Sequence, residues 1–198
     1  MDNIFENKLG LVLPGGGARG AYQVGVLKAI SEILPDSSKN PFPIMSGTSV
    51  GAINVALLAA ESESFVNGVI KLNNTWGSFS SNRIYKTNPM SLFLSSLHWL
   101  LTLITAGILV KNPKSLLNND PLQRMLIEAV DFEGIQSNID KKNIEAIAVT
   151  CASYSKRSTS TFVQSNNSNL IWKKFHREGK NAVINVSHLM ASVALPLI

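Results

Sequence analysis

Gly47-Thr48-Ser49-Val50-Gly51 is the stretch that decides the fold of this chain. The residues before it, 43–46 (PIMS), can form a short strand, and residues 50–60 (VGAINVALLAA) predict a helix of small and apolar side chains. A glycine on each side of the serine suits a sharp strand-to-helix turn, because a side chain there would collide with the neighbouring elements. Such a turn exposes the serine Oγ beside the unpaired N–H groups of the helix start, which favours nucleophilic attack and oxyanion binding. The alternative interpretation is a glycine-rich turn with an incidental serine.

A second glycine cluster lies near the N-terminus. The apolar run from Leu9 to Leu13 predicts a strand, which is followed by PGGGARG (residues 14–20) and by helical periodicity over residues 21–34. Its glycine spacing fits a dinucleotide-binding loop, but that fingerprint also needs an acidic residue at the end of a second strand. Asp36 is the nearby candidate, and no strand leads into it. The loop can instead direct bare backbone N–H groups at an anion, and beside an elbow serine it predicts an oxyanion hole.

The pairing of G-G-G-x-R-G with G-T-S-x-G resembles the patatin-like phospholipases. Residues 183–198 (VINVSHLMASVALPLI) resemble that family's segment of small residues ending in a proline, just before its catalytic-aspartate loop. The resemblance covers the chain from Leu9 to the C-terminus. It implies a three-layer α/β/α fold with a mostly parallel central sheet, and a serine–aspartate dyad that cleaves acyl esters.

The resemblance also implies roles for individual residues. Ser49 would be the nucleophile, and backbone N–H groups of the glycine loop would hold the oxyanion. Arg19 would either orient that loop or contact a phosphate, and the first role is favoured because a planar guanidinium suits rigidifying a bare loop. The oxyanion loop would be Gly15, Gly16 and Gly17, the loop-orienting residues Arg19 and Gly20, and the nucleophile elbow Gly47, Thr48, Val50 and Gly51.

The family's general base lies in a D-G-G or D-G-A motif that this sequence lacks. None of its aspartates is followed by glycine; they are Asp2, Asp36, Asp120, Asp131 and Asp140. We therefore expect the chain to stop short of the motif and the functional protein to be longer. His176 or His188 could formally complete a Ser–Asp–His triad. Nothing in the sequence assigns either histidine a partner carboxylate.

Composition predicts one globular domain over residues 1–198. A hydrophobic fraction of 45% with 16% charged residues can build a substantial core. Cys151 is the single cysteine, so no intrachain disulfide can form, and the N-terminus lacks a basic, apolar leader. These features predict a cytoplasmic protein, with peripheral membrane association as a further expectation. No metal or organic cofactor is expected, because no His/Cys/Asp cluster has ligand spacing.

Further elements follow in the second half. Strands are predicted over residues 144–152, 159–163 and 170–175, and helical periodicity returns near His188. Apolar strands that alternate with helices are typical of an α/β fold with a mostly parallel sheet.

The middle of the chain carries a long apolar stretch over residues 92–110. It is long and apolar enough to suggest a transmembrane helix. However, Ser95, His98, Thr102 and Thr105 recur at helical spacing, and basic residues flank both ends, so no charge asymmetry orients a span. An amphipathic core or lid helix is favoured, and contact with a membrane is the second interpretation.

The net charge of +5 points to anionic partners. Much of it lies in Lys156-Arg157 and in residues 172–177 (WKKFHR). Basic residues with interleaved aromatics can suit nucleic acid, but no known binding module surrounds them. Transient contact with an anionic membrane surface is preferred over nucleic acid. The ordinary alternative is a solvated strand end and turn.

The sequence therefore predicts an acyl hydrolase whose substrates are phospholipid or lysophospholipid esters. Two alternatives stay open: an acyltransferase that uses the same serine, and a non-catalytic lipid- or nucleotide-binding module. The oligomeric state is not predicted.

Overall fold

The computed structural model describes residues 9–34, 40–78, 120–153, 156–167 and 170–194. The apolar stretch over residues 92–110 lies outside these ranges, so its predicted lid or membrane role stays a prediction. Within the described ranges, no helix combines the length and apolarity that crossing a bilayer requires.

The chain divides into two structural units. The first comprises Met1–Gly77 and Ala129–Val193, and the second comprises Ser78–Glu128 and Ala194–Ile198. In the second unit, the described helical residues bury Leu122 and Leu126, which are four positions apart on one helix face. The prediction of a single domain over residues 1–198 stays a prediction.

The strands of the described chain form one mixed sheet in the order β1-β2-β3-β4-β6-β5. The pairs β1–β2, β2–β3 and β4–β6 are parallel, and β3–β4 and β5–β6 are antiparallel. With helices on both sides of the sheet, this is the predicted three-layer α/β fold. The strands are β1 (Gly10–Leu13), β2 (Ile44–Thr48), β3 (Ala146–Ser153), β4 (Ser158–Ser165), β5 (Trp172–Lys174) and β6 (Arg177–Asn181).

The helices of the described chain follow the periodicity of the sequence. α2 is the central one: all its residues are buried, and it contacts β1, β2 and β3 as well as α1, α3 and α5. Its small side chains let it be enclosed on every side. The helices are α1 (Gly20–Ile33), α2 (Val50–Ala60), α3 (Phe65–Gly77), α4 (Asp120–Ala129), α5 (Phe132–Asp140) and α6 (Val186–Val193).

The largest difference from the predicted elements is the β5–β6 hairpin. The strand predicted over residues 170–175 covers only Trp172–Lys174, and a turn at Phe175 and His176 leads into β6, which was not predicted. The polar sequence REGKN of β6 has little strand propensity. It becomes a strand because it pairs with β4 on one side and β5 on the other.

Parallel pairing fixes where the two glycine motifs meet. Leu13 is the register partner of Gly47, and Thr48 is the partner of Thr150. The carboxyl ends of β1, β2 and β3 therefore lie at one edge of the sheet, where α/β folds place their ligands.

Candidate active site

Ser49 has a strained backbone at the turn between β2 and α2. Its φ of 56° and ψ of −127° lie in a region that residues other than glycine rarely adopt. Such a conformation costs on the order of 1–3 kcal/mol and persists where surrounding structure enforces it. Strain of this kind concentrates at functional sites.

The two flanking glycines make the turn possible. A Cβ at Gly47 would overlap the Gly51 carbonyl group, and a Cβ at Gly51 would overlap the Leu13 carbonyl group at the end of β1. Thr48 ends β2, and the buried Val50 begins α2. The steric reason given for the paired glycines therefore holds, and the colliding atoms are backbone.

The glycine loop after β1 lies directly against Ser49. A Cβ built on Gly15 would be 3.1 Å from the Cβ of Ser49 and 3.8 Å from its Oγ. Gly17 has a φ of +55°, which favours glycine, and the Arg19 N–H donates to the Gly16 carbonyl at 3.1 Å. Gly20 is packed so tightly that a Cβ there would overlap Trp76 and Val50. The structure thus brings the two predicted motifs together.

A hydrogen-bond network that sequence reasoning missed anchors this loop. Gln23 Nε2 donates to the Pro14 carbonyl at 2.8 Å, and the buried Asn54 Nδ2 donates to Gln23 Oε1 at 2.9 Å and to the Gly20 carbonyl at 3.2 Å. Trp76 Nε1 completes the network by donating to Asn54 Oδ1 at 2.8 Å. Asn54 therefore ties α2 to α1, to α3 and to both ends of the glycine loop.

Ser192 connects Ser49 to the rest of the sheet. The Ser49 N–H donates to Ser192 Oγ at 2.8 Å, and Ser192 Oγ donates to the Thr150 carbonyl at 2.6 Å. The hydroxyl thus bridges the strained turn to β3. In the sequence, Ser192 lies in the small-residue segment that resembles the patatin family, but no role is predicted for it.

The aspartates of the first unit that the structure describes are engaged away from Ser49. Asp131 caps α5 by accepting from the Gly134 N–H at 3.0 Å, and Asp140 accepts from Gln136 at 2.8 Å. Gly134 abuts the carbonyl group of Ala60, so this helix lies against the end of α2 opposite Ser49. α2 has eleven residues, and at 1.5 Å per residue it separates the two ends by about 16 Å.

The two described histidines are poorly disposed to act as a base. His188 Nδ1 accepts from the Asn185 N–H at 3.2 Å, so in the neutral ring Nε2 carries the proton. Partial burial lowers the pKa of His188. His176 is exposed in the turn that leads into β6, and β6 is three strand positions from β2 in the sheet. His98 lies outside the described residues.

Cys151 does not compete as a nucleophile. Burial raises the pKa of its thiol to about 11, and its Sγ lies 3.5 Å from the His188 carbonyl oxygen. Because the thiolate is the reactive form, the thiol is inert near neutral pH. Across the described ranges, no group of three or more His, Cys, Asp or Glu side chains is arranged to hold a metal ion.

The family model described as patatin-like phospholipase matches residues 11–198. The chain belongs to the patatin-like phospholipase family. No solved structure gives a significant match to the chain.

Curated relatives of this patatin-like protein match over 55 residues, 28% of the chain. Identity is 51% with the lysophospholipase nte1 of Aspergillus terreus, 49% with the patatin-like phospholipase domain-containing protein 7 of Rattus norvegicus, and 47% with the neuropathy target esterase sws of Drosophila persimilis. The match spans only 3–4% of the length of these relatives.

Proposed function

We propose that this protein is a serine acyl hydrolase that cleaves fatty-acyl esters of phospholipids or lysophospholipids, with Ser49 as nucleophile. The observation that carries the proposal is the strained Ser49 turn, φ 56°, with the backbone of Gly15 against the serine side chain. A strained serine at a strand-to-helix turn beside a bare glycine loop supplies a nucleophile and hydrogen-bond donors within one small volume.

In the proposed reaction, Ser49 Oγ attacks the acyl carbonyl carbon while a base takes its proton. Backbone N–H groups of Gly15, Gly16 and Gly17, with the first N–H groups of α2, hold the tetrahedral oxyanion. Collapse expels the alcohol portion of the lipid and leaves an acyl-serine ester. Water then attacks this ester and releases the fatty acid.

The proposed base is an aspartate outside these 198 residues. Asp131 and Asp140 accept hydrogen bonds near the end of α2 that is opposite Ser49. The Nδ1 lone pair of His188 already accepts a hydrogen bond as well. These contacts support a dyad over a triad built on His188. Arg19 is proposed as a loop-orienting residue, because a planar guanidinium suits rigidifying a bare loop.

The proposed substrate class rests on the relatives. One is a lysophospholipase and another a neuropathy target esterase, so a lysophospholipid is the substrate to try first. A cytoplasmic location is part of the same proposal.

The experiment compares hydrolysis of a labelled lysophosphatidylcholine by wild type, Ser49→Ala and Ser31→Ala in protein that includes the proposed aspartate. Ser31 is the matched control, because its hydroxyl donates only to the Lys28 carbonyl of its own helix. We expect free fatty acid from wild type and Ser31→Ala and none from Ser49→Ala. Transfer of the label to an added acyl acceptor, in place of free fatty acid, would instead identify an acyltransferase.

A further inference from the structure

The turn of the β5–β6 hairpin exposes apolar and basic side chains together. All seven residues from 171 to 177 are exposed, and among them Phe175 is 89% and Ile171 67% accessible. Phe175 lies in the turn and Ile171 lies immediately before β5, and such accessible apolar side chains along one edge strand suggest a partner. We call this segment, together with Lys156 and Arg157, the basic tip.

The basic tip carries a concentrated positive charge. Two of its five cations lie in the turn before β4, and three lie in β5 and at the start of β6. The two regions are joined where the Thr159 N–H donates to the His176 carbonyl oxygen at 2.8 Å. The cations are Lys156, Arg157, Lys173, Lys174 and Arg177. The adjacent carboxylate, Glu178, accepts from Lys180 and Ser160, and these bonds and the charge of Lys156 lower its pKa.

The hairpin that presents the tip is well defined. Trp172 packs over Gly179, where a Cβ would overlap the indole ring. Both strands are paired, β5 with β6 and β6 with β4. The exposed side chains therefore project from a fixed support.

Sheet topology places the tip at the same edge as Ser49. β4 is antiparallel to β3, and β6 is parallel to β4. The start of β6 therefore lies at the same edge of the sheet as the carboxyl ends of β2 and β3. β6 and β5 are three and four strand positions from β2. At about 4.8 Å per strand, the tip is roughly 14–19 Å from the Ser49 turn along the sheet.

We propose that the basic tip docks the protein on an anionic phospholipid bilayer and thereby turns the Ser49 edge toward the lipid. Phe175 in the turn enters the interface, Ile171 contacts it from the other end of the edge strand β5, and the cations contact headgroup phosphates. This inference rests on the proposed function for its choice of partner. A single-stranded nucleic acid would use cations and stacked aromatics, but it has no use for an exposed aliphatic side chain such as Ile171.

The test measures cosedimentation with vesicles of phosphatidylcholine alone and of phosphatidylcholine with phosphatidylserine. We expect binding only to the phosphatidylserine vesicles, weakening as salt rises because the headgroup charge is screened. Lys173→Glu with Lys174→Glu should weaken binding at least tenfold, since each cation near the surface contributes about fivefold. Phe175→Ser with Ile171→Ser should weaken it by a similar factor.

Matched controls lie at the opposite edge of the sheet or along α1. Ile33 and Val183 are exposed apolar residues there, and Lys28 and Lys142 are exposed cations. Ile33→Ser with Val183→Ser, and Lys28→Glu with Lys142→Glu, should leave vesicle binding unchanged. Equal loss in tip and control variants, or no vesicle binding by wild type, would overturn the proposal.

The remaining arms separate the competing outcomes. Binding of a single-stranded oligonucleotide that is lost in the tip variants, without vesicle binding, would overturn the membrane proposal in favour of nucleic acid. If inorganic phosphate competed for the tip as effectively as vesicles do, the tip would be a site for phosphate alone. That result would also contradict the membrane proposal. Hydrolysis of a soluble short-chain ester reports on Ser49 independently, because it needs no bilayer. In protein that includes the proposed aspartate, vesicle binding without ester hydrolysis would refute the proposed function alone.

Discussion

The strained backbone of Ser49 must be stabilised by its surroundings, and Ser192 is one source of that stabilisation. Its hydroxyl accepts from the Ser49 N–H and donates to the Thr150 carbonyl, so it holds the turn against β3. Gly47 and Gly51 supply the other condition, the absence of side chains where backbone passes closest. The turn is therefore a property of several residues that are distant in sequence.

Ser192→Ala should lower the free energy of unfolding by about 1–3 kcal/mol, because it leaves a donor and an acceptor without a partner. It should also slow acylation of Ser49 while leaving substrate affinity nearly unchanged, since the turn would relax. Urea denaturation and pre-steady-state kinetics measure the two effects. Ser187→Ala, an exposed serine on the same helix, is the control. If the two variants had equal free energies of unfolding and equal acylation rates, Ser192 would have no role in holding the Ser49 turn.

Gly15→Ala should reduce kcat by a hundredfold or more. The added methyl group would lie 3.1 Å from the Ser49 Cβ and close to its Oγ, and loss of one oxyanion donor costs about 3 kcal/mol in the transition state. Gly25→Ala on α1 is the matched control, because a Cβ there meets nothing within 4 Å. The control should keep full activity and gain about 0.5–1 kcal/mol of stability. An active Gly15→Ala enzyme would argue against the oxyanion loop.

Sequence predicted the residues of the site that are defined by local pattern. Ser49 and the glycines are predicted as site residues because strand, turn and helix leave a contiguous signature, and their catalytic roles stay predictions. Gln23, Asn54 and Ser192 were not assigned, because their hydrogen bonds join residues 9 to 143 positions apart. Polar side chains within helical patterns carry no local sign of such partners.

At the scale of elements, Asn54 is the junction of α1, α2 and α3. It sits in an otherwise apolar helix, is fully buried, and contacts Gln23, Gly20 and Trp76. A buried polar network of this kind stabilises one arrangement of its members when every group has a partner. Here that arrangement fixes the glycine loop relative to α2.

Asn54→Ala should destabilise the protein by about 2–4 kcal/mol, because it removes the hydrogen bonds that this fully buried side chain makes to Gly20, Gln23 and Trp76. Thermal or urea unfolding measures this loss. Trp76→Phe is a milder test, since it removes one donor and leaves the Asn54 bonds to α1 in place. A change of less than 0.5 kcal/mol in Asn54→Ala, of the order seen at surface sites, would show that the network is not structural.

The elements themselves were predictable to different degrees. β1, β2, α1 and α2 follow from apolar runs and periodicity, and α2 was predicted with its observed bounds. β6 was missed, because its residues are polar and its strand conformation comes from pairing with β4 and β5. Pairing between distant strands is a tertiary effect that local propensity does not report.

At the scale of the whole molecule, one sheet edge carries both the Ser49 turn and the basic tip. The proposed catalytic base is an aspartate outside residues 1–198. Residues 1–198 alone should therefore hydrolyse esters very slowly, because a serine without a base within hydrogen-bond reach is a weak nucleophile.

Joining residues 1–198 to a downstream D-G-G or D-G-A segment should restore turnover, and replacing that aspartate with asparagine should abolish it again. The rate of fatty-acid release from a soluble ester measures both changes. Full esterase activity of residues 1–198 alone would contradict the proposed dyad. His188 would then be a candidate for the base.

The most direct test of the central claim is to map the serine that a fluorophosphonate modifies in esterase-active protein. Digestion and mass spectrometry of the labelled protein identify the modified residue, with Ser49→Ala and Ser31→Ala treated in parallel. The account predicts one adduct, on Ser49, with both adduct and esterase activity lost in Ser49→Ala and retained in Ser31→Ala. An adduct on another serine, or esterase activity that persists in Ser49→Ala, would contradict it.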